Sequence, residues 1–129
     1  MIVGIGTDLV RIARIEEALQ RHGGRFALRI LSEEEIHRFR HSSAGVRYLA
    51  KRFAAKEAVA KALGCGIGAG ARWTDIVVSN DGAGAPLVSL SDRALESAEA
   101  RGVTHIHLSI SDEQDYAIAF VVLSAAMAG

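Results

Sequence analysis

The sequence predicts an α+β fold in which an antiparallel sheet packs against one long helix, with small helices between the first strand and the rest of the sheet. Three observations carry that prediction. The chain opens on a short apolar run, Met1 to Thr7, that reads as a buried strand. An alanine-rich stretch from Gly45 to Leu63 holds helical spacing throughout. The second half is built from strand-like segments around one helical segment, and it closes on two strands joined by the loop Asp112 to Asp115.

Each element has a local reason. In the first strand, alternation puts Gly4, Gly6 and Asp8 on one side, where two glycines leave room for a close approach to the backbone. Asp8 stands at the strand's end. From Leu9 to about Gln20, Leu9, Ile12, Ile15, Ala18 and Leu19 recur at helical spacing, and Gly23-Gly24 stops the helix. Arg25 to Leu31 reads as a short helical turn. Ser32 then caps a helix whose first turn is Glu33-Glu34-Glu35, with Glu35 in the capping-box position; this helix fades near His41. After the long helix, Gly64, Gly66, Gly68 and Gly70 punctuate the exit. Trp73 to Ser79 and Pro86 to Leu90 read as strands around the turn Asn80-Asp81-Gly82. Ser91 or Asp92 starts a helix that runs to Arg101. His105 to Ser111 alternates strictly, and Tyr116 to Leu123 returns as an apolar strand.

Composition bounds the function. At 129 residues the chain reads as a single domain, 1–129, with room for a real core. Fifteen basic residues balance fifteen acidic ones, which argues against a general nucleic-acid binder. The lone Cys65 excludes an intramolecular disulfide. No apolar run approaches the roughly 18 residues of a membrane helix. A cytoplasmic location is the expectation.

The charges are concentrated where they are least expected. Arg52, Lys56, Glu57 and Lys61 sit in the stretch Arg52 to Gly64, which is otherwise almost wholly alanine, valine, leucine and phenylalanine. At about 100° per residue, Leu49, Phe53 and Ala60 share a face with Lys56, and apolar residues fill most other angles. Such a helix is contacted on several sides, and charges in it must be paired, hydrated or holding a ligand. Three cations around one carboxylate suggest phosphates and a metal ion. Magnesium takes one or two carboxylates and completes its shell with waters and substrate phosphates, so Asp8 and Glu57 form a candidate pair. Arg52, Lys56 and Lys61 are the candidate phosphate ligands. Spacing leaves plainer readings open: Asp8 as a helix cap, and Glu57 with Lys61 as an i,i+4 pair.

Other chemistries find little support. Gly4-Ile5-Gly6 lacks the ending of a phosphate-binding P-loop, and Gly64-Cys65-Gly66-Ile67-Gly68 follows a helix instead of opening one. His107, Ser109 and Ser111 share one side of a strand without a nucleophile elbow. The remaining histidines have no zinc-ligand spacing.

Gly4-Ile-Gly-Thr-Asp-Leu-Val10 and Phe53-Ala-Ala-Lys-Glu-Ala-Val-Ala-Lys-Ala-Leu-Gly64 resemble the two signature motifs of the holo-[acyl-carrier-protein] synthases, the small single-domain branch of the 4′-phosphopantetheinyl transferases. The likeness extends through Arg25-Phe26, Leu31-Ser32, Pro86 and Tyr116-Ala117. It implies the fold of that family and transfer of the 4′-phosphopantetheine arm of coenzyme A to a serine of apo acyl carrier protein, in fatty acid biosynthesis. It also implies magnesium on Asp8 and Glu57, and coenzyme phosphates on Arg52, Lys56 and Lys61. Glu57 and Lys61 become the catalytic candidates, with Glu57 or a magnesium-bound water taking the serine proton. His107 matches the first histidine of the family's His-x-Ser strand and is a candidate for coenzyme binding, whereas Ser111-Asp112 stands where some relatives carry Thr-His, so no role for a second histidine carries over. The resemblance further implies a homotrimer with sites between subunits. Because acyl carrier proteins are acidic, Arg14, Arg21 and Arg25 are the candidate docking residues. The competing reading is a non-catalytic coenzyme A or nucleotide-binding module.

Overall fold

The computed structural model describes residues 1–127. The order of elements is β1 (Ile2–Arg11), α1 (Ile12–His22), α2 (Gly24–Ile30), α3 (Glu33–Arg40), α4 (Gly45–Ala62), a 3-10 turn (Trp73–Asp75), β2 (Ile76–Asn80), β3 (Pro86–Leu90), α5 (Asp92–Ala100), β4 (His105–Asp112) and β5 (Tyr116–Ser124). An antiparallel three-stranded sheet runs in the order β1-β5-β4, and β2 pairs with β3 in a separate antiparallel ribbon. The predicted α+β class is the observed one. Among the described residues no helix is long and apolar enough to cross a membrane.

Helix α4 lies on the inner face of the sheet, against buried Val10, Ala117, Ala119, Val121 and Leu123. The close approach that two glycines allow is made by this helix. A methyl group on Gly6 would run into the Ala58 carbonyl oxygen, and one on Gly4 into that of Ala62. Strand and helix backbones therefore touch, with only alanines between them. On its other side, α4 meets α2 and α3 through Lys56, whose partner Glu35 in turn binds β2. Contact on both sides explains why its apolar residues are spread around the wheel. The packed alanines Ala50, Ala54, Ala55, Ala58 and Ala60 are wholly buried.

Two boundaries differ from the sequence reading. Strand β1 does not stop at Thr7 but runs to Arg11, because β5 pairs with it along Thr7↔Phe120, Asp8↔Ala119, Leu9↔Ile118 and Arg11↔Tyr116. Leu9 thus faces outward instead of joining the stripe of α1, and α1 starts at Ile12 without a side-chain cap. Asp8 is consequently an inner-face residue of a paired strand, neither strand-terminal nor a helix cap. Likewise, Trp73–Asp75 is a 3-10 turn and not the start of β2, since the Asp75 carboxylate accepts the Arg72 backbone N–H at 3.1 Å.

The Ser32–Glu35 capping box forms as the motif predicts, with Glu35 Oε1 accepting the Ser32 N–H at 2.8 Å. Glu35 does more than cap. It is almost fully buried, its Oε1 lies 2.6 Å from Lys56 Nζ, and its Oε2 accepts the Val78 N–H at 2.8 Å. Lys56 also donates to the Ile30 carbonyl at 2.7 Å. One ion pair thereby joins α2, α3, α4 and β2.

Candidate active site

Asp8 follows Gly4 and Gly6 on the face of β1 that meets α4, so the contact that the glycines permit brings it to the helix. Lys61 Nζ donates to Asp8 Oδ1 at 2.9 Å and to the Thr7 carbonyl at 3.1 Å. Glu57, one turn earlier on α4, is half-buried, and its Oε1 accepts the indole N–H of Trp73 at 3.1 Å. Burial pushes the Glu57 carboxyl above the ordinary carboxylate range; the Trp73 hydrogen bond holds it back, the negative charge of Asp8 pushes the same way as burial, and Lys61 opposes. That coupling places Asp8 and Glu57 within electrostatic reach of each other.

Two hard oxygen donors whose charges repel are a fitting seat for a divalent cation, which would relieve the repulsion. Among the described residues no group of three His, Cys, Asp or Glu side chains gathers as a complete metal cage. A cation here would need further oxygens from a bound ligand, as cations that bridge phosphates do.

The three cations Arg52, Lys56 and Lys61 do not converge on Glu57. Lys61 is on Asp8, Lys56 is on Glu35 and Arg52 points to a third place. Burial without release takes Lys56 out of the phosphate set: its ammonium is wholly enclosed. That burial lowers its pKa, against the pull of Glu35.

Arg52 lies in the wall of a cavity of about 530 Å³ lined also by His37, Arg38, His41, Arg47, Tyr48, Lys51 and Asn80. Its guanidinium carbon is 4.6 Å from the Tyr48 ring centroid, and its Nη2 donates to Asn80 Oδ1 at 3.1 Å. Arg52 Nε and the Tyr48 hydroxyl are buried and have no partner among the described residues. Burial raises the Tyr48 pKa despite the pull of Arg52, which keeps the hydroxyl a donor. Unpartnered buried donors are costly, and an anionic oxygen would satisfy both. At the rim, Asp112 holds Arg47 at 2.9 Å and Lys51 at 3.8 Å. Sequence reasoning missed Tyr48, Arg38, Arg47, Lys51 and Trp73. The i,i+4 spacing of Arg47 and Lys51 with adjacent Arg52 was the available signal for the first group.

His107 is on the outer face of the sheet, in register with Val122, and contacts Ser124 Oγ at 3.0 Å. Asp8 faces the other way, so a single copy of the chain does not bring the two together. Arg14 and Arg21 on α1 and Arg25 on α2 are all exposed, and none makes an ion pair among the described residues.

The family model of the 4′-phosphopantetheinyl transferase superfamily matches residues 4–121. A holo-[acyl-carrier-protein] synthase of Vibrio parahaemolyticus is 54% identical over 124 residues, covering 96% of this chain and 98% of its own. The crystal structure of the holo-[acyl-carrier-protein] synthase of Neisseria meningitidis is similar at a TM-score of 0.91 and 43% identity, covering 96% and 99% of the two chains. That of Helicobacter pylori, in complex with coenzyme A, is similar at a TM-score of 0.82 and 38% identity, covering 93% and 99%.

Proposed function

Because the chain belongs to the 4′-phosphopantetheinyl transferase superfamily, we infer that the site is that of an enzyme moving the 4′-phosphopantetheine arm of coenzyme A to a serine of apo acyl carrier protein. The products are holo carrier protein and adenosine 3′,5′-bisphosphate. The observation that carries this reading is the juxtaposition of Asp8, Lys61 and Glu57 where β1 and α4 touch. Incubation with coenzyme A, Mg²⁺ and apo carrier protein should raise the carrier's intact mass by one phosphopantetheine arm. An unchanged mass would leave the non-catalytic binding module, which nothing in the site favours.

Asp8 and Glu57 are the residues that would hold Mg²⁺, with further oxygens supplied by the bound coenzyme. When bound, the cation offsets the negative charge that builds on the leaving phosphate. Lys61, already beside Asp8 and about half exposed, is free to swing its ammonium onto the phosphate under attack. The proton of the attacking serine would pass to the Glu57 carboxylate or to a water held beside it. Arg52, with Tyr48, Arg38, Arg47 and Lys51, holds a remaining coenzyme phosphate in the cationic cavity.

The pH dependence follows from Glu57. A raised pKa means that the folded protein retains its proton at pH values where an ordinary glutamate has lost it. The proton favours the fold below the ordinary value, and that contribution is lost as pH rises through the folded value. A cation needs the ionised form, so protons and Mg²⁺ compete. The acid limb of kcat/KM should lie above the ordinary glutamate value of about 4.3 and move to lower pH as Mg²⁺ is raised. A limb that ignores Mg²⁺ concentration would contradict the assignment.

The outer face of the sheet carries Ile5, Leu9, Ile118 and Phe120, each at least 41% exposed. An apolar face of this kind marks an association surface, and the enzyme assembles through it as a homotrimer. His107 lies on the same face, so it serves a neighbour's coenzyme site and not its own. The exposed cations Arg14, Arg21 and Arg25 receive the acidic carrier protein. Arg14→Glu should raise KM for carrier protein roughly tenfold by opposing like charges and leave KM for coenzyme A nearly unchanged. Equal effects on both constants would remove Arg14 from the docking surface. The enzyme works in the cytoplasm, where coenzyme A and carrier protein meet.

A further inference from the structure

Trp73 is the only tryptophan of the chain, and packing alone does not account for how it is held. The 3-10 turn that carries it is fixed from outside. Buried Asp75 accepts the backbone N–H groups of Arg72 at 3.1 Å and Ala94 at 3.3 Å, and its carbonyl accepts the Ser91 N–H at 2.9 Å. The turn is thus tied to the start of α5. From it, the half-buried indole reaches α4, with its ring centroid 6.2 Å from that of Phe53 and its N–H on Glu57 Oε1 at 3.1 Å. The other carboxylate oxygen, Oε2, has no hydrogen-bond partner among the described residues. One oxygen of Glu57 is therefore anchored by a rigid donor and the other is left for a ligand.

We propose that Trp73 is a positioning residue for Glu57: its indole N–H fixes one carboxylate oxygen so that the other is presented, already oriented, to the cation shared with Asp8. The inference rests on the reading that Glu57 holds Mg²⁺. An indole N–H is a donor only, so it cannot compete for the cation or accept the serine proton, and its contribution is orientation. Anchoring of this kind by a second layer of hydrogen bonds tunes ligand residues at metal sites generally. The arrangement also gives the site a reporter, since the group touching Glu57 is the chain's single indole.

The test follows the intrinsic fluorescence of the wild-type protein during titration with MgCl₂ at saturating coenzyme A, beside calorimetry of the same titration. The emission should change with the midpoint that calorimetry gives, and Glu57→Gln should abolish the change. Trp73→Phe keeps a ring against Phe53 but deletes the donor. It should raise the Mg²⁺ concentration for half-maximal activity about tenfold, the order expected of a hydrogen bond to a charged group. At saturating Mg²⁺ its KM for carrier protein should be unchanged. Thermal unfolding close to wild type would confirm that the variant is folded. An emission that ignores Mg²⁺ while calorimetry records binding would overturn the proposal, as would an unaltered Mg²⁺ requirement in Trp73→Phe. A wild-type protein that binds no Mg²⁺ by calorimetry would instead overturn the metal reading of Glu57 beneath it.

Discussion

Asp8→Ala and Glu57→Ala should each abolish turnover while the protein remains folded. Neither carboxylate belongs to the buried core: Asp8 and Glu57 are both partly exposed. Each instead supplies one of two negative charges that lie close enough for one to raise the pKa of the other. On the proposed reading, removing either would leave the cation a single protein ligand and so loosen the cation's hold on the pyrophosphate. Loss of a group acting on developing charge typically costs two to three orders of magnitude or more in rate. Coenzyme A binding should weaken chiefly when Mg²⁺ is present. In Asp8→Ala, Lys61 also loses its ionic partner and keeps only the Thr7 carbonyl, so the electrostatics at the phosphate change twice. Near-normal kcat in either variant would contradict the shared role.

The second large effect falls on stability. Lys56→Met should destabilise the fold by about 3–5 kcal/mol, the cost of stranding one member of a buried ion pair. Glu35 would keep its hydrogen bonds to Ser32 and Val78 but lose the one ammonium in contact with it among the described residues, in a position almost closed to water. Combining Lys56→Met with Glu35→Gln should cost less than the sum of the single changes, because the neutral amide no longer needs the ammonium. Denaturant unfolding of the four proteins measures this. A Lys56→Met variant that unfolds like wild type and loses only coenzyme affinity would return Lys56 to the phosphate ligands.

Lys56 shows where the sequence stops being legible. The helical wheel gave correct angles for Arg52, Lys56, Glu57 and Lys61, and the alanines between them rightly implied neighbours on several sides. Angle alone does not say which neighbour lies at which angle. The four charges looked like one cluster, whereas α4 distributes them among Tyr48 and Asn80, Glu35, Trp73, and Asp8. The capping box could be read from Ser32-x-x-Glu35 because it is local. The second task of Glu35 could not, since it depends on Lys56 being 21 residues away in the chain. Leu9 fits both a helical stripe and an alternating strand, and pairing with Ile118 decided for the strand. Gly4 and Gly6 were the most informative small residues: room beside the strand was predicted, and α4 occupies it.

The central claim is that Asp8 and Glu57 form one divalent-cation site completed by the coenzyme's pyrophosphate. Calorimetric titration of Mg²⁺ into the protein, with and without coenzyme A, tests it most directly when repeated on Asp8→Asn and Glu57→Gln. The account predicts that coenzyme A strengthens Mg²⁺ binding in the wild-type protein and that either substitution removes the effect. Undiminished, coenzyme-dependent Mg²⁺ binding in either variant would contradict it.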